Sequence, residues 1–137
     1  HNQYRANHCA APLHWSSELA TQAQEWADHL STSGCAFEHR PRNKYGENLT
    51  FFAPPTSQSP ADVATGWYNE VSEYDFSKGR FDMHTGHFTQ LVWAGTHTMG
   101  CGQSQCNGGA IWVCNYDPPG NMIGAFNTNV YPNNCSK

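Results

Sequence analysis

Two stretches of the chain carry apolar residues at the spacing of a helix that is buried on one side. The first is WSSELATQAQEWADHLSTSG, which a serine can cap at its start and Gly34 can end. Its apolar positions recur every three or four residues, as an amphipathic helix requires. These positions are Leu19, Ala23, Trp26, Ala27 and Leu30.

The second stretch, SPADVATGWYNEVSEY, has the start signals of another helix. Ser59 can cap it, Pro60 suits the first turn, and Asp62 favours the positive end of the helix dipole. Its apolar face extends to Tyr74, so the pattern predicts a helix of about four turns. The residues of that face are Val63, Trp67, Val71 and Tyr74.

The rest of the chain has strand and turn signals. Between the helices, CAFEHRPRNKYGENLTFFAPPTSQ predicts short strands or turns. In the last third, THTMGCGQSQC, GAIWVCNY and NMIGAF are separated by the turn signals NGG and DPPG, which predicts an antiparallel sheet. No repeat or long linker divides the chain, so we expect one domain over residues 1–137, of mixed α+β class.

The charges exclude some partners. The 137 residues include 7 basic and 11 acidic side chains, for a net charge of −4 with neutral histidine. No basic stripe is present, so we expect no nucleic-acid partner. The longest apolar run, AIWVC, is too short to cross a bilayer, and we expect no transmembrane segment.

Six cysteines form an even set without a C-x-x-C pair. Three disulfides are the favoured interpretation, which predicts a secreted, extracellular protein. The alternative is a reduced intracellular chain with buried thiols. The sequence opens at HNQYR, without a methionine or an apolar leader, so we expect a processed or trimmed form.

Some polar residues stand where apolar ones are expected. Glu70 follows Trp67 by three residues, which places it on the apolar face of the second helix. A buried carboxylate needs backbone donors, a cation or a histidine, so Glu70 is either held by the backbone or part of a site. His87 follows Gly86 at the start of a short predicted helix and is either a core histidine or a ligand. His39 and Glu47 lie in a turn-rich stretch, and spacing alone does not unite these four residues.

Five ordered motifs resemble a known family. The motifs YGENL, WYNE followed by Y, GHFTQLVW, GCG and CNYDPPGNMIG occur in the order of the CAP superfamily. This superfamily contains cysteine-rich secretory proteins, antigen-five allergens and plant pathogenesis-related group-one proteins. The resemblance covers nearly the whole chain and implies a three-layer α-β-α sandwich with a small central antiparallel sheet.

The resemblance also implies a metal cleft of two histidines and two glutamates. His87 matches the histidine of GHF, Glu47 the glutamate of GEN and Glu70 that of WYNE. The second histidine lies upstream of GEN, where His39 is closer than His29. In the family the histidines contact the metal, and the glutamates suit a role in orienting them or a bound water. We expect a divalent ion, zinc first, that binds weakly.

The resemblance assigns the cysteines and a lipid-binding segment as well. It implies the disulfides Cys35–Cys106 and Cys101–Cys114, which leaves Cys9 to pair with Cys135 in a third bridge that the plant members lack. The segment YDFSKGRF carries three aromatic residues, Tyr74, Phe76 and Phe81. It resembles an aromatic loop of yeast relatives that is implicated in sterol binding. The residues themselves leave two alternatives open, since an aromatic cluster of this kind either packs in the core or lies on a mobile loop that suits a flat ring system.

These observations favour a secreted CAP-domain protein that binds a sterol or fatty-acid-like lipid and carries a metal cleft, in host interaction or defence. One alternative is a metal-assisted hydrolase or peptidase with Glu47 or Glu70 as base. Another is a protein-binding or allergen-like module with a vestigial cleft, whose partner is a host or cell-surface protein. Asn48 starts the glycosylation sequon NLT, but it belongs to the GEN motif, so we expect it to be unmodified.

Overall fold

The computed structural model describes most of the chain, and its elements appear in a mixed α+β order. The helices are α1 (Asn2–Asn7), α2 (Ser17–Thr32), α3 (Pro60–Tyr68) and α4 (Gly86–Leu91). The strands are β1 (His14–Trp15), β2 (Gly46–Phe52), β3 (Thr98–Cys106) and β4 (Gly109–Asp117). The described residues are 2–34, 39–40, 45–52, 60–76, 79, 81–82, 84–106, 109–122 and 124–132.

Helix α2 confirms the first prediction. The hydroxyl oxygen of Ser16 caps it by accepting a hydrogen bond of 3.2 Å from the amide of Leu19. All five predicted apolar positions are buried. Beyond its end, Gly34 adopts a φ of 76°, a left-handed conformation that glycine tolerates at no steric cost.

Helix α3 is shorter than predicted. It begins at Pro60, but the α-helix ends at Tyr68 and a 3₁₀ helix follows over Asn69–Glu73. Glu70 therefore lies in the tighter 3₁₀ winding, from which its carboxylate bonds to α4. Val63, Trp67 and Tyr74 are buried as expected.

The four strands form one sheet in the order β1-β3-β4-β2. β3 pairs with β4 and β4 with β2 in antiparallel fashion, while the short β1 runs parallel to β3. The prediction of a strand at NMIGAF is wrong, because Asn121 and Gly124 adopt φ values of 57° and 85°, which a strand cannot accommodate. The strand that pairs with the outer side of β4 is instead β2, which contains the GENL segment.

The sheet separates two layers of core, as the alternation along β4 shows. Ile111 and Val113 pack with Ala23 and Leu30 of α2. Trp112, Cys114 and Tyr116 point the other way, into a cluster with side chains of α3 and α4. Helices thus cover both faces of the sheet, in agreement with the α-β-α expectation.

The disulfides are confirmed in part. Cys101 and Cys114 are bonded and lie directly opposite each other on β3 and β4. Cys9 and Cys106 are also disulfide-bonded. Cys135 and Cys35, the partners expected for them, lie outside the described residues, so those two pairings stay predictions.

The GCG motif has a packing role, because α2 lies directly against its glycines. A Cβ atom on Gly100 would come within 2.2 Å of the amide nitrogen of Ala20, and one on Gly102 within 2.6 Å of the Cα of Gln24. Both clashes are with the α2 backbone, which has no rotamer to adjust.

We therefore expect Gly100→Ala to lower the free energy of unfolding by about 1–3 kcal/mol, the typical cost of overpacking. The matched control is Gly66→Ala in α3, where a Cβ meets nothing within 4 Å. That change should stabilise the protein by about 0.5–1 kcal/mol through helix propensity. Urea unfolding of both variants measures the two effects, and equal stability in Gly100→Ala and the unmodified protein would contradict the close packing.

Candidate functional site

The structure joins the four predicted cleft residues as two histidine–glutamate pairs. The Nδ1 atom of His39 lies 2.8 Å from Oε1 of Glu47, and Nδ1 of His87 lies 2.8 Å from Oε2 of Glu70. Each histidine is therefore held by one carboxylate.

Each carboxylate also holds the residue after its histidine. The amide of Arg40 donates to Oε1 of Glu47 at 3.0 Å, and the amide of Phe88 donates to Oε1 of Glu70 at 3.0 Å. The two pairs thus repeat one local design. Glu70 thus accepts from the backbone and from a histidine, and its role in a metal site stays a prediction.

This design fixes the chemistry of the imidazoles. A neutral histidine that donates from Nδ1 to a carboxylate carries its lone pair on Nε2, and the carboxylate makes that atom more basic. In His39 and His87 the lone pair is therefore on Nε2, the ring nitrogen that could bind a metal ion. The hydrogen bond to Glu47 raises the pKa of His39 from its ordinary value, and burial partly opposes this.

His87 is further fixed by its neighbours from other elements. Its ring stacks on that of Trp67, with centroids 5.8 Å apart. Its carbonyl accepts a hydrogen bond of 3.2 Å from the side chain of Asn48, which also donates to the hydroxyl of Tyr116 at 3.3 Å. Asn48 follows Glu47 on β2, so the same strand touches both pairs. Asn48 is buried, which agrees with the expectation that its sequon is unmodified.

The metal cleft itself stays a prediction. Across the part of the chain that the structure describes, no three His, Cys, Asp or Glu side chains gather as a metal site. Two imidazoles with carboxylates behind them fit a divalent ion by their donor chemistry, with water as the remaining ligands. His29, the other candidate from the sequence, lies on α2 with its ring stacked on Trp26.

The predicted lipid-binding aromatic residues separate into two environments. Tyr74 is buried, and Phe76 packs against its ring at 4.8 Å between centroids. Phe81 is 47% exposed and lies 6.5 Å from the ring of Phe126. The two alternatives for this segment therefore both apply in part, because Tyr74 lies in the core, Phe76 is partly buried against it, and Phe81 lies at the surface.

An apolar cavity of about 340 Å³ lies on the α3 side of the sheet. No lining residue is ionisable apart from the bonded half-cystines. The lining residues are Asn2, Leu13, Trp15, Val63, Met99, Cys101, Trp112 and Cys114. The sequence does not reveal this cavity, since its walls come from five separate segments and no local pattern marks them.

His8 was also missed, and it is fully buried. Its Nδ1 lies 2.6 Å from the carbonyl oxygen of Tyr131, and its Nε2 lies 2.9 Å from the hydroxyl of Tyr68. Since a carbonyl only accepts, Nδ1 carries the proton and Nε2 accepts from Tyr68. Burial lowers the pKa of His8 from its ordinary value, and the bond to Tyr131 partly opposes this.

A sheet covered by helices on both faces, with two histidine–glutamate pairs beside it, defines the class of a CAP domain. The model of the cysteine-rich secretory protein family matches residues 1–116, and the chain belongs to that family. Within the described residues, no helix has the length and apolarity to span a membrane.

Several relatives in sequence support the assignment. The chain is 42% identical to Protein PRY2 of Saccharomyces cerevisiae, over 96% of its own length and 39% of that protein. It is 36% identical to the human Golgi-associated plant pathogenesis-related protein 1, over 96% of its length and 88% of that protein. It is 34% identical to Secreted protein PRY1 of Candida albicans, over 96% of its length and 30% of that protein. The chain thus spans less than half of the two yeast proteins.

Solved structures show the same fold. BmVAL-1 superposes with a TM-score of 0.72 at 30% identity, covering 90% of this chain and 66% of that one. NaASP2, solved with Zn²⁺, superposes with a TM-score of 0.66 at 26% identity, covering 88% of this chain and 66% of that one.

The buried His8 predicts a pH dependence of stability. The unfolded chain takes up a proton at a histidine more readily than the folded protein does at His8, because the folded pKa is lowered. The contribution of His8 to the free energy of unfolding is therefore fully present above a pH of about 6.5. It is lost as the pH falls through the folded pKa. His39 has the opposite sign, but its side chain is 65% exposed, so its effect is small.

Urea unfolding at neutral and mildly acid pH measures this dependence. We expect His8→Gln, which is neutral throughout, to lose less stability on acidification than the unmodified protein. The matched control is His84→Gln, at an exposed histidine, which should behave like the unmodified protein. The assignment is wrong if His8→Gln loses as much stability as the unmodified protein.

Proposed function

We propose that this CAP-family chain binds a small lipid, a sterol or a fatty-acid-like molecule, and carries a separate weak site for a divalent metal. We further propose that it acts outside the cell in host interaction or defence, which the even set of six cysteines supports. The observation that carries the lipid proposal is the apolar cavity.

The size and lining of the cavity suit an apolar ligand. Its volume of about 340 Å³ lies at the lower end of the usual range for small-molecule sites. Val63 and Met99 contribute aliphatic surface, and the side chain of Asn2 adds one polar group. Each Å² of apolar surface that leaves water on binding is worth about 25 cal/mol, so a lipid that fills the cavity gains affinity without any ionic contact.

Phe81 is a second candidate for lipid contact. It is the one aromatic residue of YDFSKGRF that lies at the surface, next to the start of α4, where a Cβ on Gly86 would meet its ring at 3.1 Å. An exposed ring of this kind suits stacking on a sterol. Because Phe76 is partly buried against the core, the double change Phe76→Ala with Phe81→Ala would also disturb packing, and Phe81→Ala alone is the cleaner variant.

Lipid capture with labelled palmitate and cholesterol tests both candidate contacts, the cavity and Phe81. We expect Val63→Phe, which fills the cavity, to weaken capture at least roughly tenfold, about 1.4 kcal/mol. Val71→Phe is the matched control, on the same segment but outside the cavity lining. If the aromatic segment contributes, Phe81→Ala weakens cholesterol capture by a similar factor.

Zinc binding should be unchanged in these lipid variants. If the unmodified protein captures neither lipid, the lipid proposal is wrong. It would favour the third hypothesis, a protein-binding or allergen-like module.

The metal proposal rests on the paired imidazoles. His39 and His87 are each oriented by a carboxylate, which leaves Nε2 as the ligand atom of both. The related NaASP2, which was solved with Zn²⁺, supports zinc as the ion to test first. The ion, when bound, would supply Lewis acidity at the cleft, and the two glutamates would keep the imidazoles in the ligating tautomer.

Calorimetry with zinc tests the metal site. We expect binding near pH 7 that weakens towards pH 5, because a protonated imidazole cannot ligate. The double change His39→Ala with His87→Ala should abolish it, and Glu70→Gln should weaken it roughly 10–100-fold. His29→Ala is the control and should bind as the unmodified protein does. Zinc binding that survives the double change would show that the site lies elsewhere.

A metal-assisted hydrolase is the runner-up function. It needs Glu47 or Glu70 as a free base, but both carboxylates already accept from a histidine and from a backbone amide. Their geometry therefore favours orientation of the imidazoles over base catalysis. Zinc-dependent turnover of generic peptides or esters would reverse this preference.

A further inference from the structure

Trp15 is the most exposed large apolar side chain that the structure describes, at 62%. It lies on β1, the two-residue strand at the edge of the sheet, and it also lines the apolar cavity. Its ring therefore continues the cavity lining to the protein surface.

The other tryptophans behave differently. Trp26, Trp67, Trp93 and Trp112 are all buried. A single exposed apolar side chain is common on soluble proteins and needs no explanation by itself. Trp15 differs from such a residue because it marks the mouth of a cavity.

The lining of this cavity is also uncharged. None of the eight residues that line the cavity has a charged side chain. An exposed indole ring that continues an uncharged lining matches the interfacial region of a zwitterionic bilayer, where tryptophan is enriched because its body is apolar and its N–H is polar. A strongly charged partner would find no charged side chain among these lining residues.

We propose that Trp15 and the cavity mouth form a docking surface for a zwitterionic lipid bilayer, through which the cavity receives its ligand. This inference rests on the proposed lipid binding. A lipid that reached the cavity through water would expose its apolar surface on the way, whereas a mouth that faces the bilayer avoids that exposure.

Tryptophan fluorescence with phosphatidylcholine vesicles tests the docking surface. Since the other four tryptophans are buried, Trp15 is the ring that vesicles can reach. We expect a blue shift of the emission and quenching by brominated phosphatidylcholine. The absence of both changes would overturn the proposal.

Co-sedimentation with the same vesicles tests the role of the residue. Trp15→Ala should weaken vesicle binding at least roughly tenfold, and Trp15→Tyr should retain most of it, since tyrosine is also an interfacial residue. Phe51→Ala is the matched control, because Phe51 is 39% exposed on β2 at the opposite edge of the sheet. Equal binding by Trp15→Ala and the unmodified protein overturns the proposal.

Two further outcomes separate this inference from its alternatives. A blue shift that grows with protein concentration, without vesicles, assigns Trp15 to contact with a second copy and overturns the bilayer proposal. Palmitate capture from solution is measured in parallel on the unmodified protein. Capture without vesicle binding overturns the docking surface alone, whereas vesicle binding through Trp15 without capture overturns the proposed function of the cavity.

Discussion

The buried guanidinium of Arg5 is the interaction on which the arrangement of the domain depends. Arg5 is fully buried, and its nitrogens donate to the carbonyl oxygens of Ala11, Leu91, Trp93 and Thr96 at 2.8–3.1 Å. Burial lowers its pKa to about 10, which leaves it protonated at neutral pH. One cation thus ties α1 to the segment before β1, the end of α4 and the approach to β3. It also sits at the negative end of α4, which favours a positive charge.

Polar side chains extend this network of hydrogen bonds towards the candidate cleft. Gln90 of α4 donates to the hydroxyl of Thr96 at 3.2 Å and accepts from the amide of Gly120 at 2.9 Å. Thr96 in turn donates to the carbonyl of Pro118 at 2.9 Å. The GHFTQ and DPPG motifs, which lie about thirty residues apart, therefore meet through buried hydrogen bonds. Because α4 is fixed in this way, His87 near its start has a defined position.

The sequence predicted what short-range periodicity and motifs can reveal. Helix α2 followed from its apolar spacing and its serine cap. The motifs led to Glu47, Glu70 and His87, which the structure places in two histidine–glutamate pairs. The strand at NMIGAF was wrong because apolar content does not reveal the left-handed backbone of Asn121. The pairing of His39 with Glu47, the burial of His8 and the cavity could not be predicted from spacing. Each depends on side chains that tertiary packing brings together from separate elements.

Helix α3 relates the cavity to the candidate metal site. Val63 lines the cavity, and Trp67, one turn later, stacks on His87. A movement of α3 on ligand entry would therefore displace the imidazole of His87. The indole of Trp67 is buried, however, and donates to the carbonyl of Leu49 on β2 at 3.3 Å, which anchors this turn of α3 to the sheet. The sheet also holds Asn48 against the carbonyl of His87. We therefore expect a ligand in the cavity to leave His87 in place, so that the two proposed sites act independently.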